Sequence, residues 1–131
     1  MNKDYQDIKI LIVDDFASMR KLLKTTLQEL GFNHIKESDD GVNALPLLQT
    51  GEFDLLVTDW NMPQMHGVEL VKAVRADENL KDLLVLMVTA EAKGEYIAKA
   101  ANAGITDYIV KPFNKSTMNE KLLKIFSRTK T

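Results

Sequence analysis

Five short strand-like runs, most of them apolar, alternate with amphipathic stretches along this chain, and that alternation restricts the fold more than any other feature. The runs are Ile8 to Val13, His34 to Glu37, Asp54 to Thr58, Leu83 to Thr89 and Asp107 to Val110. Ile10-Leu11-Ile12-Val13 and Leu83-Leu84-Val85-Leu86-Met87-Val88 are almost continuously hydrophobic. Strands of a parallel sheet are covered on both faces and have no polar side to present, so they read this way. His34-Ile35-Lys36-Glu37 is polar and belongs at an edge.

The intervening stretches read as helices. Met19, Leu22, Leu23, Thr26, Leu27 and Leu30 recur at helical spacing, and Gly31 follows as a C-terminal stop. Further helices are expected over about Asp40 to Leu48, Gly67 to Ala76, Ala92 to Ala103 and Ser116 to Ser127. Met118, Leu122, Ile125 and Phe126 share a face of the last, and Gly51 and Gly104 mark two more helix ends. Right-handed crossovers between successive units then build an α/β fold, a doubly wound five-stranded parallel sheet with helices on both sides. The 131 residues fit a single domain, 1-131, and a hydrophobic share of 45% is enough for one core.

Charge and composition exclude several classes of function. Seventeen basic against nineteen acidic residues give a net charge of −2, without the basic footprint of a nucleic-acid binder. The segment Met1 to Asp7 has no apolar core of a signal peptide, and no apolar run approaches the roughly 20 residues that cross a bilayer. Cysteine is absent, as fits a reducing compartment. The expectation is a cytoplasmic monomer with neither nucleic acid nor membrane as partner.

Ligands of such sheets bind beyond the carboxyl ends of the strands. Asp14 and Asp15 close the first run, Asp59 the third, Thr89 the fourth and Lys111 the fifth. Three carboxylates, a hydroxyl and an ammonium thus share one rim. Carboxylates crowded together favour their protonated forms, and a divalent cation relieves the repulsion. An all-oxygen ligand set suits Mg²⁺ (or Mn²⁺) and argues against zinc. Asp59 is the candidate nucleophile, because a carboxylate forms an aspartyl phosphate. Lys111 would neutralise the transferring group and Thr89 would donate a hydrogen bond to it.

Each residue alone has a plainer role. Asp14 and Asp15 would cap the following helix, Asp59 would be a loop carboxylate, and Lys111 before Pro112 would be a solvated lysine. The conjunction across four strand ends favours the site.

The residues that carry it also resemble a known family. Val13-Asp14-Asp15-Phe16, Asp59-Trp60-Asn61-Met62-Pro63 with Gly67, Met87-Val88-Thr89-Ala90-Glu91-Ala92-Lys93 and Tyr108-Ile109-Val110-Lys111-Pro112-Phe113 are similar to the receiver domains of two-component signalling, most closely the CheY-type chemotaxis response regulators. The resemblance runs from about Lys9 to Phe126. It implies the flavodoxin-like strand order 2-1-3-4-5. It further implies that Asp59 accepts phosphate from a chemotaxis histidine kinase, and that Asp15, Asp59 and the backbone carbonyl of Asn61 bind Mg²⁺, with Asp14 assisting through water. Thr89 and Tyr108 would act as a coupled switch, and the Lys111-Pro112 bond would be cis.

The face that responds in relatives spans the fourth helix, fifth strand and fifth helix, presenting here Lys93, Tyr96, Ile97, Ala101, Ile105, Tyr108, Val110, Lys121 and Lys124. It would dock the flagellar motor switch protein, and a phosphatase is a further implied partner. The chain departs from the pattern at Gly94, where relatives usually have a basic residue, and at the bulkier Tyr96 and Ile105. The alternative is a receiver that acts as a phosphate sink, draining the kinase, or that regulates another pathway without motor binding. Enzymatic turnover of external substrates is not expected, since a phosphatase using these carboxylates needs a cap for which there is no length. Autophosphorylation from small phosphodonors and autodephosphorylation are. His66 and His34 are expected at the surface.

Overall fold

A computed structural model describes residues 5–60, 66–90 and 93–127. Five strands, β1 Lys9–Val13, β2 His34–Ser38, β3 Leu55–Asp59, β4 Leu84–Thr89 and β5 Asp107–Val110, alternate with five helices. The helices are α1 Ala17–Glu29, α2 Gly41–Leu48, α3 Gly67–Ala76, α4 Gly94–Ala103 and α5 Lys115–Ser127. The strands pair in parallel in the order β2-β1-β3-β4-β5. Polar β2 is an edge strand, as its composition requires. Among the described residues no helix is long and apolar enough to cross a membrane.

Alternation along each strand sends neighbouring residues into two separate cores. Leu11, Val13, Leu56, Val85 and Met87 pack with Leu48, Leu70, Val74 and Ala100 from α2, α3 and α4. Ile10, Ile12, Val57, Leu86, Val88 and Ile109 pack with Leu23, Leu27, Met118, Leu122 and Ile125 from α1 and α5. Full burial of each such aliphatic side chain favours the fold by about 1.5–3 kcal/mol. β1, β3 and β4 lie between helices on both sides, which is why Ile10 to Val13, Leu55 to Val57 and Leu84 to Val88 are continuously apolar.

The helical face expected in α1 needs one correction. Leu23, Thr26 and Leu27 are buried, but Leu22 is 48% exposed. The stripe is narrower than the run of leucines indicates: Leu22 lies at its margin, while Thr26 is buried as expected and satisfies its hydroxyl on the Leu22 carbonyl at 2.8 Å. Gly31 and Gly104 do end helices, with φ of 109° and 106° that favour glycine. α4 begins at Gly94, and the expected start at Ala92 lies outside the described residues.

Candidate functional site

The rim at the carboxyl ends of β1, β3, β4 and β5 is where the fold gathers its charge. Asp14 follows β1 directly, Asp59 ends β3, Thr89 ends β4 and Lys111 follows β5. Parallel register makes this convergence unavoidable, since Asp59 pairs with Val88 and Thr89 with Val110. Asp14 is 0% exposed and Asp59 6%, whereas Asp15 faces solvent. Carboxylate oxygens of Asp14, Asp15 and Asp59 all lie within 4.8 Å of one another.

Lys111 closes the cluster. Its ammonium donates to Asp59 Oδ1 at 3.0 Å and stands 3.8 Å from Asp14 Oδ2. Single-cation compensation of three carboxylates is incomplete. Burial pushes the Asp59 carboxyl above its ordinary value, and the hydrogen bond and charge of Lys111 offset that only in part. Asp14 is also raised, first by burial and further by its neighbours Asp59 and Asp15, against the Phe16 N–H and Lys111. In the metal-free protein both groups resist ionisation.

The plainer role of Asp14 is half realised. Its Oδ1 accepts the Phe16 N–H at 2.9 Å, at the N-cap residue of α1, and its backbone carbonyl takes Arg20 Nη1 at 2.7 Å. Its Oδ2 is buried without a hydrogen-bond donor. An orphaned carboxylate oxygen and two further carboxylates within ligand distance, an all-oxygen cluster among the described residues, fit a hard divalent cation. Asp14, Asp15 and Asp59 are the residues present to hold it. Asn61, expected to add its carbonyl, lies outside the described residues, as do Met62 and Pro63.

Gly67 belongs to the site for a reason of space. It starts α3 directly over the end of β3, and its N–H donates to the Trp60 carbonyl at 2.9 Å. A Cβ there would collide with the Asp59 carbonyl oxygen and crowd the Met87 methyl. His66, beside it, is exposed, as expected, and its N–H donates to Glu69 Oε1 at 3.4 Å.

The residues expected on the outer face are arranged less freely. Tyr96 meets Trp60 edge-on, with ring centroids 5.6 Å apart, so α4 touches the residue that follows Asp59. Tyr108 and Ile105 pack against the core beneath α4, while Lys93 is exposed and Ile97 half-buried. Lys121 and Lys124 both pair with Asp107, at 3.3 and 3.8 Å. Asp107 is buried at β5 and escaped the sequence reading, because only the fold brings α5 alongside this strand. The Lys111-Pro112 bond is cis.

Comparison with known proteins agrees with this geometry. The response regulator receiver domain model matches residues 10–123. Chemotaxis protein CheY-3 of Vibrio cholerae serotype O1 is 59% identical over 123 residues, 94% of this chain and 95% of that protein. Chemotaxis protein CheY of Pseudomonas aeruginosa is 59% identical over 121 residues, 92% and 98% of the two chains. Among solved structures, Vibrio cholerae chemotaxis protein CheY4 superimposes with a TM-score of 0.84 at 38% identity, covering 90% of this chain and 98% of that one. Two cores, one acidic rim and these likenesses lead to one conclusion: the chain belongs to the response regulator receiver family, as a receiver domain of the CheY type.

Proposed function

We propose that this chain is a phospho-accepting regulator of chemotaxis signalling, in which Asp59 takes a phosphoryl group from a histidine kinase with Mg²⁺ bound. The supporting observation is the carboxylate trio of Asp14, Asp15 and Asp59 with Lys111 at 3.0 Å from Asp59. An Asp59 carboxylate oxygen bonds to phosphorus while the phosphorus–nitrogen bond of phosphohistidine breaks, and the histidine nitrogen keeps the electron pair. Mg²⁺, held by Asp15, Asp59 and the Asn61 carbonyl with Asp14 in support, would neutralise charge on the phosphoryl oxygens.

The protein's own groups do the rest. Lys111 swings its hydrogen bond from Asp59 to the phosphoryl group as a movable point charge. Thr89, 3% exposed at the end of β4, supplies a hydroxyl donor. Its movement is passed to Tyr108 on the neighbouring strand, and the face of α4, β5 and α5 changes its affinity for the flagellar motor switch. Reversing a two-state population from 1:99 to 99:1 takes about 5.5 kcal/mol of differential interaction, which new charge-assisted hydrogen bonds supply in part.

The test is incubation with Mg²⁺ and a small phosphodonor, followed by intact mass. Wild type should gain one phosphoryl group and Asp59→Asn none; equal labelling of both would overturn the assignment. A second reading, a receiver that drains phosphate and docks nothing, is favoured by the pairing of Lys121 and Lys124 with Asp107. Binding of the phosphorylated protein to a motor-switch peptide decides between the two.

A further inference from the structure

Asp107 and Tyr108 are consecutive on edge strand β5, so their side chains leave opposite faces of the sheet. Asp107 lies on the α5 side with Ile109, and Tyr108 packs on the α4 side. One side chain joins the two faces. Lys121, from α5, reaches Asp107 Oδ1 at 3.3 Å while its ammonium lies 4.7 Å from the centroid of the Tyr108 ring. Asp107 Oδ1 also accepts the Tyr108 N–H at 2.8 Å. A single carboxylate oxygen therefore holds both the main chain of Tyr108 and the cation on its ring.

We propose that Asp107 is a positioning residue for Tyr108: through Lys121 it clasps the two faces of the sheet around the edge strand and sets where the tyrosine ring rests. A cation over an aromatic face is attractive but orientationally loose when the cation is free in solvent. Here the lysine loses that freedom, because a buried carboxylate fixes its charged end. Asp107 Oδ2 is buried without a hydrogen-bond donor, and Lys124 at 3.8 Å is the second cation directed at it. The carboxylate consequently retains a strong demand for Lys121. An acidic partner segment seeking Lys121 would have to take it from Asp107, and in doing so would release the ring.

The consequence for signalling rests on the reading of Tyr108 as a switch residue, but the clasp does not, so its test uses neither phosphate nor metal. The three tyrosines, Tyr5, Tyr96 and Tyr108, give three fluorine resonances in protein labelled with 3-fluorotyrosine. Asp107→Asn should shift the Tyr108 resonance in the same direction as Lys121→Met, with Tyr5 and Tyr96 unmoved. The double variant should match Lys121→Met alone, and Asp107→Glu should restore most of the wild-type position. The proposal is overturned if Asp107→Asn leaves Tyr108 in place while Lys121→Met moves it, if all three resonances move together, or if the two effects add. Should Asp107→Asn fail to fold, an unmoved Tyr108 in Lys121→Met also overturns it, and Asp107→Ser is read in its place: a Tyr108 shift matching that of Lys121→Met, with Tyr5 and Tyr96 at rest, upholds it, and an unmoved Tyr108 overturns it.

Discussion

Lys111 and Asp59 stand 52 positions apart in the chain, yet the lysine ammonium donates to an aspartate carboxylate oxygen at 3.0 Å. That contact exists because β3 and β5 flank β4 in parallel register and end on the same rim. It also sets the resting electrostatics, since Lys111 is the cation that both Asp14 and Asp59 share.

Lys111→Met keeps the hydrophobic stem and removes the charge. The hydrogen bond and attraction that hold Asp59 down vanish together, while burial and Asp15 still push it up. Asp59 should then protonate at higher pH than in wild type, and the metal-free protein should lose about 1–3 kcal/mol at pH 7. Carboxyl carbon NMR and urea unfolding measure the two effects; wild-type behaviour in both would rule out this pairing.

Asp59→Asn should raise the melting temperature of the metal-free protein at neutral pH. The sign follows from proton binding. Asp59 titrates in the fold above its ordinary 3.8, so between those two values the native state binds more protons than the unfolded one. Stability from this group is therefore present at low pH and declines as pH rises through the folded value. Asparagine avoids the decline, and its advantage should fade as the medium is acidified. Calorimetry from pH 7 downward tests this, and an advantage independent of pH would refute it.

Added Mg²⁺ should reverse the ranking. At a metal concentration 100 times the dissociation constant, binding to the native state alone contributes about 2.7 kcal/mol. Wild type should gain this, whereas Asp15→Asn and Asp59→Asn, each lacking one carboxylate ligand, should gain little. Titration by Trp60 fluorescence gives the affinity directly, and removal of the metal with a chelator should restore the starting signal.

Gly67→Ala introduces a methyl group where the Asp59 carbonyl oxygen already sits. Backbone, not a flexible side-chain tip, must move, so the expected loss is about 1–3 kcal/mol, with Mg²⁺ affinity falling as Asp59 shifts. Equal stability and unchanged metal binding would show that α3 can recede without disturbing β3.

Tyr96→Leu removes the edge-on ring from Trp60. Such pairs contribute about 0.5–1.5 kcal/mol beyond their buried area. Trp60 emission should change in the metal-free variant. Identical spectra would mean the two rings do not meet in solution.

Much of the fold was legible in the residue pattern. Continuous apolar runs and period-3.6 patterns report burial directly, so Ile10 to Val13 and Leu83 to Val88 announced strands covered on both sides, and polar His34 to Glu37 announced an edge. Leu22 shows the limit of periodicity: one apolar residue beside a stripe is not told from a member of it.

Asp14, Asp15, Asp59, Thr89 and Lys111 were placed on one rim by sequence alone, because a parallel sheet returns every strand in the same direction and chain position at a strand end becomes position in space. The pairing of Lys121 with Asp107 and the meeting of Tyr96 with Trp60 were decided only by tertiary structure. Those contacts depend on how far a helix slides along the sheet and which rotamer a long side chain adopts, and neither quantity leaves a period in the sequence. Sequence thus determined where the charge collects, and packing determined which of those charges are already engaged.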